Sequence, residues 1–287
     1  MIKTDNLCKG YTKEYILKNI SLELESGKIY GLAGSNGSGK TTLIKCLSGI
    51  YKPDKGEVLL DGKTVYNNND LKEKIGLIFD NHNFLTFATI KSYSKYYAKY
   101  YGSFSFDKFK EMCKKFGLPD NAQIDQLSFG QKKKFQIALV LSRNTEYLIM
   151  DEPENGLDNE NREFLRDLIR ELSDNGMCVI ISTHDLVNIE NMCDELILID
   201  DGNLRFNGSI DDCLSNIQKW RVKADKEALK GFVIKEDLGN IFTVLTKGEK
   251  AENESILKEK GIEIIDIEKV SVADAYTFMR KDGAANG

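Results

Sequence analysis

Apolar and polar positions alternate near the N-terminus, as in Ile20-Ser-Leu-Glu-Leu-Glu before Ser26-Gly-Lys turns into Ile29. Side chains on a pleated strand point alternately to its two faces, so residues 1–32 predict an antiparallel β-layer, which Val58-Leu-Leu-Asp61-Gly62-Lys extends. Ile29-Tyr-Gly-Leu-Ala33 is a further β-type run, and Tyr147-Leu-Ile-Met150 is apolar throughout, the pattern of a strand buried in a parallel sheet. Past the irregular stretch Asp80–Thr89 the pattern becomes helical, from Ile90 to about Gln123. There Tyr93, Tyr96, Tyr97, Tyr100 and Tyr101 recur at the spacing of one helix face. Residues 216–287 carry three β-like runs (Lys219-Trp-Arg-Val-Lys, Ile241-Phe-Thr-Val-Leu, Ile262-Glu-Ile-Ile-Asp-Ile), interleaved with helical patterns at Lys226–Lys230, Ala251–Lys260 and Val272–Lys281. They predict a small α+β appendage.

Between the run Ile29–Ala33 and a predicted helix starting near Lys40 lies Gly34-Ser-Asn-Gly-Ser-Gly-Lys-Thr41, which matches G-x-x-x-x-G-K-[ST] at every fixed position. Gly34, Gly37 and Gly39 let the backbone wrap an anion, so that successive N–H groups and the helix N-terminus face phosphates. Lys40 adds a mobile charge. The Thr41 hydroxyl suits Mg²⁺, which takes few protein oxygens and keeps several waters. At the end of the run Tyr147–Met150 stand Asp151-Glu152-Pro153, two carboxylates at the strand tip where open α/β sheets bind ligands. Asp151 can reach the metal through water, and Glu152 is placed to polarise a water aimed at a γ-phosphate.

The chain of 287 residues, 41% hydrophobic, is long enough for one sizeable domain and a small one. A net charge of −5 argues against a nucleic-acid partner. Lys132, Lys133 and Lys134 form a local basic run at helical spacing and are expected on a solvated helix face or near phosphate. Six scattered cysteines without a C-x-x-C pair point to reduced thiols, hence to the cytosol. No stretch approaches the roughly 18 apolar residues of a membrane span, and the start Met1-Ile-Lys-Thr-Asp is unlike a signal peptide.

Leu127-Ser-Phe-Gly-Gln131 resembles the LSGGQ signature of ATP-binding cassette (ABC) proteins, with Phe129 at the first Gly. Glu154-Asn-Gly-Leu-Asp158 is similar to the family's D-loop, Ile180-Ile-Ser-Thr-His184-Asp185 to its switch-histidine segment, and Tyr11 stands at its adenine-stacking position. The resemblance covers about residues 1–212. It implies an α/β P-loop NTPase fold, with a RecA-like core, an antiparallel β-subdomain and an α-helical signature subdomain at about residues 90–145, followed by the appendage at 216–287. It further implies ATP and Mg²⁺ as cofactors. Nucleotide contacts would come from Tyr11, Gly34, Ser35, Asn36, Gly37, Ser38, Gly39, Lys40, Thr41 and Thr42, and metal contacts from Thr41, Asp80 and Asp151. Glu152, His184 and Lys40 would be catalytic. Ser128, Gly130 and Gln131 would form a second anion site for the γ-phosphate bound to the other subunit. Two departures stand out: Asp80 occupies a position where the family usually has Gln, and Leu139 one where it commonly has Arg.

The function implied is that of the ATP-hydrolysing subunit of a membrane transporter. Two cassettes, identical or different, would sandwich ATP at the inner face of the cell membrane, with the permease on a separate chain. The ending Val270-Ser-Val-Ala-Asp-Ala-Tyr-Thr-Phe-Met-Arg resembles the last helix of ABC-2-type and bacitracin-resistance-type exporter ATPases, which favours export. Two other readings use the same motifs. A soluble ABC ATPase of nucleic acid or the ribosome usually carries tandem cassettes or long coiled-coil insertions, and neither appears here. A regulatory module that binds ATP without hydrolysing it would be separated by steady-state ATPase measurement.

Overall fold

The structure is a computed structural model and describes residues 1–11, 14–79, 84–85, 87–119 and 121–285. In chain order the strands are β1 (Ile2–Gly10), β2 (Tyr15–Leu24), β3 (Ile29–Ala33), β4 (Lys55–Leu60), β5 (Lys63–Thr64), β6 (Ile75–Ile78), β7 (Tyr147–Asp151), β8 (Cys178–Ser182), β9 (Glu195–Asp200), β10 (Asn203–Ser209), β11 (Ile217–Lys223), β12 (Val233–Asp237), β13 (Ile241–Lys247) and β14 (Glu263–Glu268). The α-helices are α1 (Lys40–Leu47), α2 (Asn69–Glu73), α3 (Ile90–Tyr97), α4 (Phe106–Lys115), α5 (Phe129–Leu141), α6 (Asn159–Asp174), α7 (Leu186–Met192), α8 (Ile210–Ser215), α9 (Lys250–Glu259) and α10 (Val272–Ala285).

The N-terminal alternation builds an antiparallel sheet in the order β2-β1-β4-β5. The apolar runs build a six-stranded sheet in the order β10-β9-β3-β8-β7-β6, parallel except for the edge strand β10. The inner strands β3, β8 and β7 are buried on both faces, which explains why their apolar runs do not alternate. Tyr147 and Ile149 of β7 join Tyr30, Leu32 and Ile180 in a core shared with the antiparallel sheet and α1. Leu148 and Met150 point the other way, into a core with Phe109, Phe135, Leu165 and Ile169 from α4, α5 and α6.

The Tyr-rich segment is not one helix. Both oxygens of the Glu73 carboxylate accept backbone donors beyond α3, from Gly102 (2.9 Å) and Ser103 (3.1 Å), and Ser105 then caps α4. These bonds take the N–H groups a continuing helix would use. The tyrosines divide accordingly: Tyr93 packs against Phe84 and Phe135 at 5.3 and 5.7 Å, whereas Tyr96 and Tyr100 are exposed and share a hydroxyl hydrogen bond.

Residues beyond α8 form an antiparallel sheet in the order β12-β13-β11-β14. It holds one strand more than the sequence pattern indicates, since β12 (Val-Ile-Lys-Glu-Asp) is only partly covered and lacks an apolar face. The expected helix at Lys226–Lys230 is a single 3-10 turn, Lys226–Leu229. Trp220, Phe242, Val244 and Leu257 form a core of the appendage's own. A second cluster joins Ala33, Ile189, Leu196 and Leu198 of the first part to Ile217, Leu245, Val272, Ala275 and Phe278 of the second.

Candidate active site

Three motifs far apart in sequence meet because β3, β8 and β7 are neighbours and run parallel, so that their C-terminal ends share one edge. The glycine-rich loop leaves β3, the Asp-Glu pair ends β7, and His184 follows β8. A cleft of about 430 Å³ opens there, lined by Ile16, Asn36, Gly37, Gly39, Lys40, Thr41, Thr42, Asp151 and Glu152.

The loop is shaped for an anion. A Cβ on Gly34 would come within 2.2 Å of the Ile199 carbonyl oxygen and 2.5 Å of Ser38 Oγ, so only glycine lets the turn pass there. Gly39, at φ 108°, caps α1 without a side-chain hydrogen bond, leaving the first-turn N–H groups without a capping side chain. Among the described residues, the buried Ser38 Oγ has no hydrogen-bond partner, a polar group left over for a ligand of the loop. Lys40 folds back, donating from Nζ to the carbonyl oxygens of Gly34 (2.7 Å) and Ser35 (3.2 Å). Burial holds its ammonium below the usual lysine range, against the opposing pull of the Glu152 and Asp151 carboxylates. Ser35 Oγ donates to Asp200 at 3.2 Å.

The Thr41 hydroxyl donates to Asp151 Oδ2 at 3.0 Å, so a hydroxyl and a carboxylate stand together at the start of α1. That donor set suits a hard cation completed by phosphate oxygens and water. Asp80, the third expected metal ligand, lies outside the described residues. The other Asp151 oxygen accepts from Ser182 Oγ in a short hydrogen bond. Glu152 adopts a left-handed backbone, φ 47°, a conformation that costs a non-glycine residue about 1–2 kcal/mol. Its N–H donates to both the carbonyl oxygen and Oγ of Ser182, each at 3.1 Å, which holds that conformation. Its Oε2 meets Nδ1 of His184 at 2.9 Å, and the His184 side chain, 64% exposed, stands behind Glu152 and outside the lining of the cleft.

Ser182 had no role in the sequence reading. Its signal is positional: it stands opposite Asp151 in the β7–β8 register and two residues before His184.

Tyr11 lies beside the loop, 56% exposed, with its ring edge-on to Tyr51 and its hydroxyl 3.3 Å from Thr42 Oγ1. Ser128, Gly130 and Gln131 do not line the cleft. Ser128 caps α5 by accepting from Gln131 N, while Gln131 Oε1 accepts from Ser128 N. The helix therefore starts at Phe129. Phe129 is accommodated by Gly156, where a Cβ would sit 2.9 Å from the Phe129 ring. Lys133 corrects the expectation of a wholly solvated basic face: it is buried, with Nζ 3.4 Å from the Phe79 carbonyl oxygen. Lys134 lies over the Phe164 ring at 4.4 Å.

Comparison with known proteins gives the family. A family model described as ABC transporter matches residues 17–155. The linearmycin resistance ATP-binding protein LnrL of Bacillus subtilis (strain 168) is 31% identical over 76% of this chain and 72% of its own length. The chain belongs to the ATP-binding subunits of ABC transporters. It is thus an ABC ATPase with the α/β cassette fold. The methionine import ATP-binding protein MetN 3 of Oceanobacillus iheyensis is 32% identical over 88% of this chain and 81% of its own. The cassette MJ0796, solved as a dimer and in a post-hydrolysis state bound to ADP and Pi, matches with 28% identity and a TM-score of 0.65, over 73% of this chain and 99% of its own. Among the described residues, no helix of the ABC cassette is long and apolar enough to cross a membrane.

Proposed function

We propose that two copies of this chain close head to tail over two ATP molecules and so drive a permease carried on a separate chain. The observation that carries the hydrolytic part is the pairing of Glu152 with His184 at the mouth of the cleft that Lys40 and Thr41 line. Glu152 takes the proton of the attacking water, and His184 bonds the γ-phosphate and orients that water. Lys40 leaves the loop carbonyls for the phosphates, and Tyr11 stacks on adenine. Phosphoryl transfer needs such positioning and charge stabilisation rather than covalent chemistry. Mg²⁺, held by Thr41 and Asp151, would neutralise charge on the β- and γ-oxygens. Ser128 Oγ accepts the cap bond from Gln131 and keeps its own O–H to donate, and with the Gly130 N–H it offers a γ-phosphate site to the other copy.

The permease would dock in the groove of about 390 Å³ where α3, α2 and the end of α1 approach, lined in part by Ile50, Lys72, Tyr100, Tyr101 and Arg143. Its exposed Tyr100 and Ile50 suit an apolar cytosolic segment, at the inner face of the membrane. Export is the direction we assign, supported by the ending at Val270–Arg280 and by the resistance protein LnrL, against which the import relative MetN 3 stands at similar identity. Labelled cargo followed in vesicles of the reconstituted transporter reads that direction.

Mixing two inactive variants tests the dimer. Ser128→Arg and Lys40→Ala should each be inactive, and heterodimers should regain part of the turnover, because both defects fall in one composite site and leave the other intact. Given that one intact site can turn over, proven heterodimers as inactive as either parent would count against the head-to-tail arrangement.

A further inference from the structure

Two residues after Glu152, Glu154 carries a carboxylate whose side chain is only 14% exposed. Arg166 on α6 grips it with two bonds, Nε to Oε1 at 2.7 Å and a terminal nitrogen to Oε2 at 3.2 Å. Asn188 on α7 closes a triangle. Its Nδ2 donates to Glu154 Oε2 at 2.6 Å, and its Oδ1 accepts from Arg166 at 2.6 Å. The same Nδ2 donates to Asp185 Oδ2 at 2.9 Å, and Asp185 Oδ1 accepts from Val187 N to cap α7. Cation and anion together fix which way the Asn188 amide points, since the flipped amide would set NH₂ against guanidinium and oxygen against carboxylate.

The two ends of this network are one and two residues from the two groups that meet at the γ-phosphate. Asp185 follows His184 directly, and Glu154 follows Glu152 after Pro153. The Glu152–Leu157 turn itself has only marginal internal bonds, Asn155 N to Glu152 O at 3.3 Å and Leu157 N to Glu154 O at 3.2 Å, around a left-handed Glu152. The clamp therefore adds a second tie, beyond the cleft, between two segments that meet directly only where Glu152 bonds Ser182 and His184, and a misplacement of about 1 Å in such a pair is worth roughly a hundredfold in rate.

We infer that Arg166 and Asn188 are positioning residues for hydrolysis: through Glu154 and Asp185 they hold the Glu152 carboxylate and the His184 ring at hydrogen-bond distance. Neither lines the nucleotide cleft, so each acts on the chemical step and leaves the binding of ATP alone. The inference rests on Glu152 and His184 acting at the γ-phosphate.

The test is steady-state ATPase of the full chain, with ATP affinity and melting temperature measured on the same samples. Arg166→Ala and Asn188→Ala should each lower kcat by about tenfold to a hundredfold, with KM and Kd for ATP within about twofold of wild type. Arg166→Lys, which keeps the charge and loses the two-pronged grip, should fall between. If an alanine variant does not fold, Glu154→Gln reads the same point, because it keeps the Asn188 acceptor and removes the ion pair, and it too should lower kcat alone. A kcat within twofold of wild type, or losses of kcat, affinity and melting temperature that move together, would overturn the clamp. Glu152→Gln is the control for the reading beneath it: turnover surviving in that variant removes the base, whereas an inactive Glu152→Gln beside active clamp variants removes the clamp alone.

Discussion

At Glu152 a left-handed backbone and a hydrogen bond to His184 occur in one residue, and Ser182 holds the backbone while the imidazole holds the side chain. A strained conformation maintained by three separate bonds is expected where a side chain must be aimed rather than merely packed. Glu152→Gln keeps the shape and the contact with His184 but removes the group that accepts a proton from water. Turnover should drop by about 10²–10⁴-fold while ATP binding persists, leaving an ATP-bound dimer visible by light scattering. Near-normal turnover would take the base role away from Glu152. That Lys40, Thr41, Asp151, Glu152 and His184 come together at one edge of the sheet is legible in the sequence, because each belongs to a motif that ends or follows a strand. Ser182 was not. Its importance comes from lying opposite Asp151 in the parallel register, and register between strands 31 residues apart in the chain leaves no local mark.

Among the elements, the buried strands β3 and β7 are legible in their apolar pattern, and features set by polar contacts are not. Strands β3 and β7 fall where the unbroken runs put them, whereas the end of α3 is set by Glu73 from a distant helix and the burial of Lys133 by tertiary packing. The start of α10 is another such place. Asp274, 1% exposed, accepts from Ser271 N (3.0 Å) and Ser271 Oγ (2.8 Å) and pairs with Lys235 of β12 at 2.5 Å and Lys219 of β11 at 3.6 Å. One carboxylate thus ties a helix N-terminus, where negative charge is favoured, to two strands. Burial pushes this carboxyl up, but Lys235 and Ser271 together hold it below the usual carboxylate range. Asp274→Asn should therefore destabilise the protein by about 2–4 kcal/mol at neutral pH, less than a fully buried pair since both lysines are partly solvated. A depressed folded pKa means that this contribution is present above the unfolded carboxylate value, about 3.9, and is lost as pH falls through the folded one. Denaturation midpoints of wild type and variant should differ at pH 7 and converge in strong acid. A constant difference across that range would show that the effect is not ionic.

On the scale of the whole molecule, the sequence suggests two units with a seam near residue 215, and side-chain packing crosses that seam. Ile189, Leu196 and Leu198, from α7 and the central sheet, are covered by Val272, Ala275 and Phe278 of α10, and Glu190 of α7 accepts from the backbone N–H of Val272 at 3.1 Å. A composition change along the chain marks where motifs stop and is silent about which apolar faces meet afterwards, so this shared core could not be read in advance. Trp220, Phe242 and Leu257, by contrast, pack among appendage residues alone. Ending the chain at Ser215 would thus leave the nucleotide loop, Asp151 and His184 in place but strip the cover from a buried apolar face that includes Ile189 of α7, the helix that follows His184. Each exposed side chain of this kind forfeits roughly 1.5–3 kcal/mol, and for a domain of this size each kcal/mol is worth about 2–4 °C. The shortened chain should still bind ATP, with a melting temperature lower by about 5 °C or more and increased binding of an apolar dye. Removing only α10, by ending at Lys269, should produce most of the same loss, because α10 supplies Val272, Ala275 and Phe278. A truncated chain that melts like the full one would mean that the appendage sits on the cassette without sharing its core.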